Sequence, residues 1–464
     1  MLRRLAGLLL VAASLAFAAD KPNVLFIAID DLNDWIGVLG GHPQARTPNL
    51  DRLAARGVLF THAYTAAPAC NPSRAALMTG IAPYRSGVYL NSQAWRPVMQ
   101  DAVTIPQHFR KFGYWVAASG KIFHGAFPDP PSWDVYWPSQ TKNKPDDPTP
   151  AKQPVNGIPK TGHFDWGPVT EGPEQMGDYK VAQWISARLG EKHDKPFFLA
   201  CGMFRPHLPW YAPQKYFDEF PLDKIELPVF NADDLTDVPP GGIKMAKPAG
   251  DHAKVTEHHQ WKKAVQAYLA NILFMDEQIG RVIDALDKSE YKDNTIVVLW
   301  TDHGWHLGEK EHWRKFALWE EATRTPMMWV VPKGVSAALP QGTKAGVRVD
   351  QPVSLLDIYP TLVELAGLGP NAALMGDSLT PLLADPKAPF RGATVMTYGR
   401  NNHAVRTAEY RYIRYADGGE ELYDHRDDEY EWKNLAKDSR YEEILEGMRR
   451  WIPKENHEDA PQTR

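Results

Sequence analysis

The run Cys70-Asn71-Pro72-Ser73-Arg74, continuing to Thr79-Gly80, puts a nucleophile, a cation and a helix start within about one turn. Pro72 suits the first turn of a helix, where its missing N–H is not needed. Cys70 is thereby expected at a helix N-terminus, whose free N–H groups and dipole favour anions. Arg74 lies four residues on and points to the same side. A reactive group, a fixed cation and a positive helix end suit a tetrahedral oxyanion. The plain alternative is a buried or disulfide-bonded cysteine ahead of an ordinary helix.

Other polar residues stand where apolar runs stop. Asp30-Asp31 follow Asn23–Ile29, Lys121 and His124 follow Tyr114–Ala118, His207 follows Phe197–Met203, and Asp302-His303 follow Thr295–Thr301. Taken singly, each has a structural explanation: a capping aspartate, a satisfied histidine, a solvated lysine. Taken together they place acids, bases and cations at one sheet edge, where open α/β folds bind ligands. Asp30, Asp31, Asp302 and His303 form a mainly hard-oxygen set, suited to Ca²⁺ or Mg²⁺, with His303 the less usual ligand.

The elements needed to hold these groups are legible. The runs 23–29, 197–203 and 295–301 are continuously apolar, as strands buried on both faces must be. Thr47-Pro48 to Gly57 reads as a short helix capped by Thr47, and 58–64 as a strand. Helices are expected at 104–113, 174–190 and 355–366, a strand at 327–331, and a long amphipathic helix through Trp261, Tyr268, Met275 and Leu286. Strands alternating with helices give an α/β fold with a mostly parallel sheet flanked by helices. Two Pro- and Gly-rich excursions, 125–172 and 220–255, interrupt it. From about 387 short strands and a closing helix suggest a smaller α+β subdomain with an antiparallel sheet.

The 464 residues carry a net charge of −5, which gives no reason to expect nucleic acid or an anionic membrane as partner. Residues 1–19, with Arg3-Arg4, an apolar run and Ala16-Phe17-Ala18-Ala19, read as a secretory signal peptide. The mature chain is then expected outside the cytoplasm, secreted or periplasmic, with no membrane span. Cys201 is the only cysteine besides Cys70, and its apolar surroundings suggest a small core residue.

Cys-x-Pro-Ser-Arg followed by Thr-Gly resembles the signature of type I, formylglycine-dependent sulfatases, members of the alkaline phosphatase superfamily. Gly120-Lys121-Ile122-Phe123-His124, Arg205-Pro206-His207 and Asp302-His303-Gly304-Trp305-His306 with Lys315 resemble the iduronate-2-sulfatase-like members. The resemblance implies that a separate maturating enzyme oxidises Cys70 to Cα-formylglycine. It implies a divalent ion, usually Ca²⁺, on Asp30, Asp31, Asp302, His303 and the side chain at 70. It further implies that the hydrated aldehyde attacks sulfur with Asp302 accepting a proton, and that Arg74 and Lys121 hold the nucleophile. His207 and Lys315 would contact the sulfate and protonate the leaving alcohol, and His124 would assist return to the aldehyde. The substrate implied is a sulfated sugar, with Trp95, Trp305, His306, Arg314 and His403 as candidate contacts. The implied division is a catalytic domain over 20–386 and a subdomain over 387–464. Two other readings stay open: a phosphonate or phosphate ester hydrolase of the same superfamily, and a catalytically silent sulfated-glycan-binding protein.

Overall fold

The computed structural model describes residues 21–462, so the signal-peptide reading lies outside the described residues. Its centre is a sheet of nine strands. In chain order these are β1 (Asn23–Ile29), β2 (Val58–Tyr64), β3 (Trp115–Gly120), β4 (Val135–Trp137), β5 (Phe197–Met203), β6 (Thr295–Thr301), β7 (Arg324–Val330), β8 (Val347–Val349) and β9 (Val353–Ser354). The spatial order is β8-β2-β7-β6-β1-β5-β3-β4, with β9 also pairing β2. Only β7 runs antiparallel to its neighbours. Every residue of β1, β5 and β6 is buried, which explains their unbroken apolar runs.

Side chains alternate between the two faces of this sheet. Leu25, Ile27 and Ile29 join a core built with Tyr268, Ile272, Met275 and Ile279 of the long helix Trp261–Lys288. Val24, Phe26 and Ala28 join a second core with Leu77, Met78 and Tyr359. A four-stranded antiparallel meander, Ala393–Thr397, His403–Thr407, Tyr410–Arg414 and Glu420–Asp424, forms the C-terminal part. It meets the main body through Met396, Ile413, Tyr423, Leu318 and Trp319. Glu320 from the main body is ion-paired there with Arg406 and Arg411. Among the described residues no helix is long and apolar enough to cross a membrane.

Two expectations need correcting. Thr47 precedes the helix Pro48–Ala54 but does not cap it with its side chain. Its hydroxyl bonds Asp51 instead, and the cap comes from the long helix: Asp276 accepts from the N–H groups of Asn49 (3.1 Å) and Leu50 (2.8 Å). Asp276→Ala is therefore expected to cost about 2–3 kcal/mol, since it orphans buried donors at a helix start. Denaturant unfolding of the two proteins measures this. The excursion 220–255 also carries helices, Pro240–Ala246 and Asp251–Glu257, beyond what its Pro and Gly content suggests.

Candidate active site

Strands β6, β1, β5 and β3 are neighbours, and their C-terminal ends deliver Asp302-His303, Asp30-Asp31, His207, and Lys121 with His124 to one place. Asp31 lies in the left-handed region at φ 59°, a sparsely populated conformation for aspartate that lets both carboxylates of the pair reach one cluster. Opposite them the helix Cys70–Thr79 begins, with Cys70 fully buried at its first turn. Ser73 fastens this turn to the sheet, donating to the Asp302 carbonyl at 2.5 Å.

Arg74 ties the site together. Its Nε meets Asp302 Oδ2 at 2.8 Å and its Nη2 meets Asp30 Oδ1 at 3.1 Å, while Nη1 donates to the Lys121 and Ile122 carbonyls. Lys121 is ion-paired with Asp30. Lys315 reaches both Asp31 Oδ1 (2.6 Å) and Cys70 Sγ (3.0 Å). His303 Nε2 lies 3.4 Å from the same sulfur, and its Nδ1 faces the Gly304 carbonyl at 3.0 Å. A carbonyl only accepts, so the proton sits on Nδ1 and Nε2 presents a lone pair to the cluster. His207 is arranged likewise: Nδ1 donates to Leu208 at 2.6 Å and Nε2 lies 3.8 Å from Asp31 Oδ2.

The electrostatics follow from burial. Burial opposes charge on Asp30, but the cations Lys121, Arg74 and Lys315 outweigh it and hold the carboxyl well below the usual range. Asp31 goes the other way: burial, with the charges of Asp30 and Asp302, pushes it up to about 7 against the pull of Lys315. Burial also pushes the Cys70 thiol up to about 12. Burial and the nearby cations lower His124 to about 3 and His207 well below the ordinary value, so both imidazoles are neutral.

The donor set fits a divalent cation. Asp30, Asp31, Cys70, Asp302 and His303 each offer an atom, all within 4.8 Å of one another. Asp31 Oδ2 is buried with no hydrogen-bond partner, so one carboxylate oxygen is uncompensated. A second acidic group, Glu320, His425 and Glu431, is already answered by Arg411 and does not need a metal.

The proposed sugar contacts fare differently. Trp95 is buried and stacks on Phe123 at 5.3 Å, its Nε1 donating to the Phe127 carbonyl, so it is core. His306 is buried against His312 and Trp319. Trp305 is buried beneath Lys315, whose ammonium lies 5.2 Å from its ring. His403 is buried in the C-terminal sheet and bonded to Thr397. All four rings are buried among the described residues. Arg314 alone of the five stays partly open, with its side chain 20% exposed. Burial lowers His403 to about 4, so its neutral form contributes stability that is present above pH 6.5 and lost as pH falls through 4. His403→Gln is expected to flatten that part of the stability–pH curve by about 3 kcal/mol, read from denaturant midpoints between pH 7 and 4.

His163 was not foreseen. Its ring stacks on His207 at 6.2 Å, yet it sits alone in an excursion with no surrounding motif to mark it.

Comparison with known proteins agrees with this architecture. The Sulfatase family profile matches residues 22–368, and the profile for the C-terminal part of N-sulphoglucosamine sulphohydrolase matches 308–458. A sulfatase of Formosa agariphila is 40% identical over 94% of this chain and 87% of its own. Mouse iduronate 2-sulfatase is 32% identical over 76% of this chain and 70% of its own. The solved phosphonate monoester hydrolase of Silicibacter pomeroyi has the same fold, with a TM-score of 0.76, 24% identity and coverage of 93% and 94%. The chain thus belongs to the sulfatase family and is a sulfuric ester hydrolase.

Proposed function

We propose that this protein is an exported carbohydrate sulfatase that carries formylglycine at position 70 and Ca²⁺ in the adjoining cluster. Its substrate in this reading is a sulfated uronate or a related polysaccharide-derived sugar. The observation that carries the reading is the surroundings of Cys70 Sγ, with Lys315 at 3.0 Å, His303 at 3.4 Å and Asp31 at 3.8 Å, at a buried helix start. A thiol held protonated there is a poor nucleophile.

A formylglycine, supplied by a separate maturating enzyme, would bring a hydrated aldehyde whose oxygen can attack sulfur. Asp30, Asp31, Asp302 and His303, with position 70, would hold Ca²⁺, which supplies Lewis-acid stabilisation of sulfate charge. The chain's own groups do the rest. Arg74 fixes Asp30 and Asp302 relative to the helix start, and Asp302 is within reach of a proton from position 70. Lys315 is the charged donor beside that position and balances negative charge as it develops. Neutral His124 is available to take a proton, its buried Nδ1 having no partner. His207 offers Nε2 toward the sulfate and can return a proton to the departing alcohol once that nitrogen is protonated.

The division into a catalytic domain over 20–386 and a subdomain over 387–464 belongs to the same proposal. The test is peptide mass analysis of the Cys70 segment after co-production with a formylglycine-generating enzyme, with sulfate release from a 2-sulfated uronate measured in parallel. Conversion of the CH₂–SH group to CHO together with sulfate release is expected. An unmodified thiol under those conditions, or turnover of a phosphonate monoester in place of the sulfate, would overturn the reading.

A further inference from the structure

Arg314 is where the two excursions meet. Its Nε pairs with Asp251 Oδ2 at 2.6 Å, and Asp251 belongs to the excursion 220–255. Its Nη1 lies 3.3 Å from His163 Nε2, and His163 belongs to the excursion 125–172. An arginine only donates and burial with the Arg314 charge lowers the His163 pKa, so His163 accepts here. The guanidinium rests 4.5 Å from the Phe164 ring. Among the described residues Nη2 has no partner.

The position of this guanidinium relative to the chemistry is fixed from two directions. The next residue in the chain is Lys315, whose ammonium touches Cys70. The ring that Arg314 holds, His163, stacks on His207 at an interplanar angle of 16°. Arg314 is therefore one residue from one sulfate-facing group and one imidazole from another. The backbone is unusual at this point: Arg314 and Phe316 have φ of 76° and 79°, flanking Lys315 with left-handed residues that are not glycine. Such strain persists where the surroundings over-determine it and clusters at functional sites.

We infer that Arg314, held in plane by Asp251 and His163, reads a second anionic group on the sulfated sugar, a carboxylate or a further sulfate. This rests on the sulfatase reading above. A guanidinium anchored through Nε and one Nη1 hydrogen keeps its outer edge for a planar or tetrahedral oxyanion, the geometry for which arginine is suited. A sugar whose sulfate meets Lys315 and His207 brings its neighbouring ring substituents beside Arg314. Arg314 is in this view a specificity-determining residue, and the sulfate-cleaving groups act whichever substrate is present.

The test compares kcat/KM for a 2-O-sulfated uronate disaccharide with that for the same compound after reduction of its carboxylate to the alcohol, and with a disulfated hexosamine against its monosulfated form. In the mature wild-type enzyme the doubly anionic member of one pair is expected to be preferred by about tenfold or more, the worth of a charge-assisted hydrogen bond. Which pair shows the preference separates carboxylate from sulfate. Arg314→Gln is expected to abolish that ratio mainly through KM. Arg314→Lys, which keeps a cation without the fork, is expected to reduce it severalfold and serves if the Gln variant does not fold. A wild-type preference that survives both variants overturns this inference alone, as does wild-type turnover with no preference in either pair. A mature wild type that cleaves none of the four compounds overturns the sulfatase reading and this inference with it.

Discussion

Cys70→Ala is expected to lower kcat for sulfate ester hydrolysis by roughly five to six orders of magnitude, the size seen when a covalent nucleophile is removed. Stability should change little, because Lys315 keeps Asp31 Oδ1 at 2.6 Å and Arg74 keeps Asp302 and Asp30 when the sulfur is gone. The substitution thus separates chemistry from folding. A companion measurement separates formylglycine from thiol: wild-type chain produced without a maturating enzyme should be as inactive as Cys70→Ala. Burial holds that thiol up to about 12, so almost none of it is thiolate near neutrality. Sulfate release assayed on protein of mass-verified modification state reads both effects. Full activity in the thiol form would remove formylglycine from the mechanism, and full activity in Cys70→Ala would move the nucleophile elsewhere.

The parts of the site legible in the sequence are those whose position follows from strand periodicity. Asp30-Asp31 and Asp302-His303 end uniform apolar runs, so their place at a sheet edge follows from the burial of β1 and β6 on both faces. Arg74 follows from helical spacing after Cys70. What the sequence does not carry is contact between distant segments. Asp276 caps a helix 227 residues away, and nothing local to Thr47 announces that its hydroxyl turns to Asp51. Trp95, Trp305, His306 and His403 look like binding residues by type, but type does not say which side of a wall a ring faces, and all four are buried. His163 and Asp251 illustrate the converse. Each is unremarked in its own excursion and becomes meaningful only because both converge on Arg314.

Asp31→Asn is expected to change stability in opposite directions with and without Ca²⁺. In ion-free protein Asp31 is the strained member of the cluster: its carboxyl is pushed up to about 7, and its Oδ2 is buried without a partner. A carboxyl raised in the folded state binds its proton more tightly there than in the unfolded chain. Its contribution is therefore fully present below the unfolded value near 4 and is lost as pH rises through 7. Asparagine mimics the protonated form, so at pH 8 the ion-free variant should melt no lower than wild type. Ca²⁺ reverses the comparison. An ion bound only by the folded state adds about 2.7 kcal/mol at a hundredfold excess over its Kd. Wild type should gain that increment, and the variant, with one carboxylate ligand fewer in a site of three, should lose most of it. Turnover should fall on the order of a hundredfold to a thousandfold, as when one electrostatic contact to developing charge is removed. Thermal melts at pH 8 in chelator and in Ca²⁺ give both signs without reference to activity. A variant destabilised equally in the two conditions would make Asp31 a structural partner of Lys315 and take the cation out of the cluster.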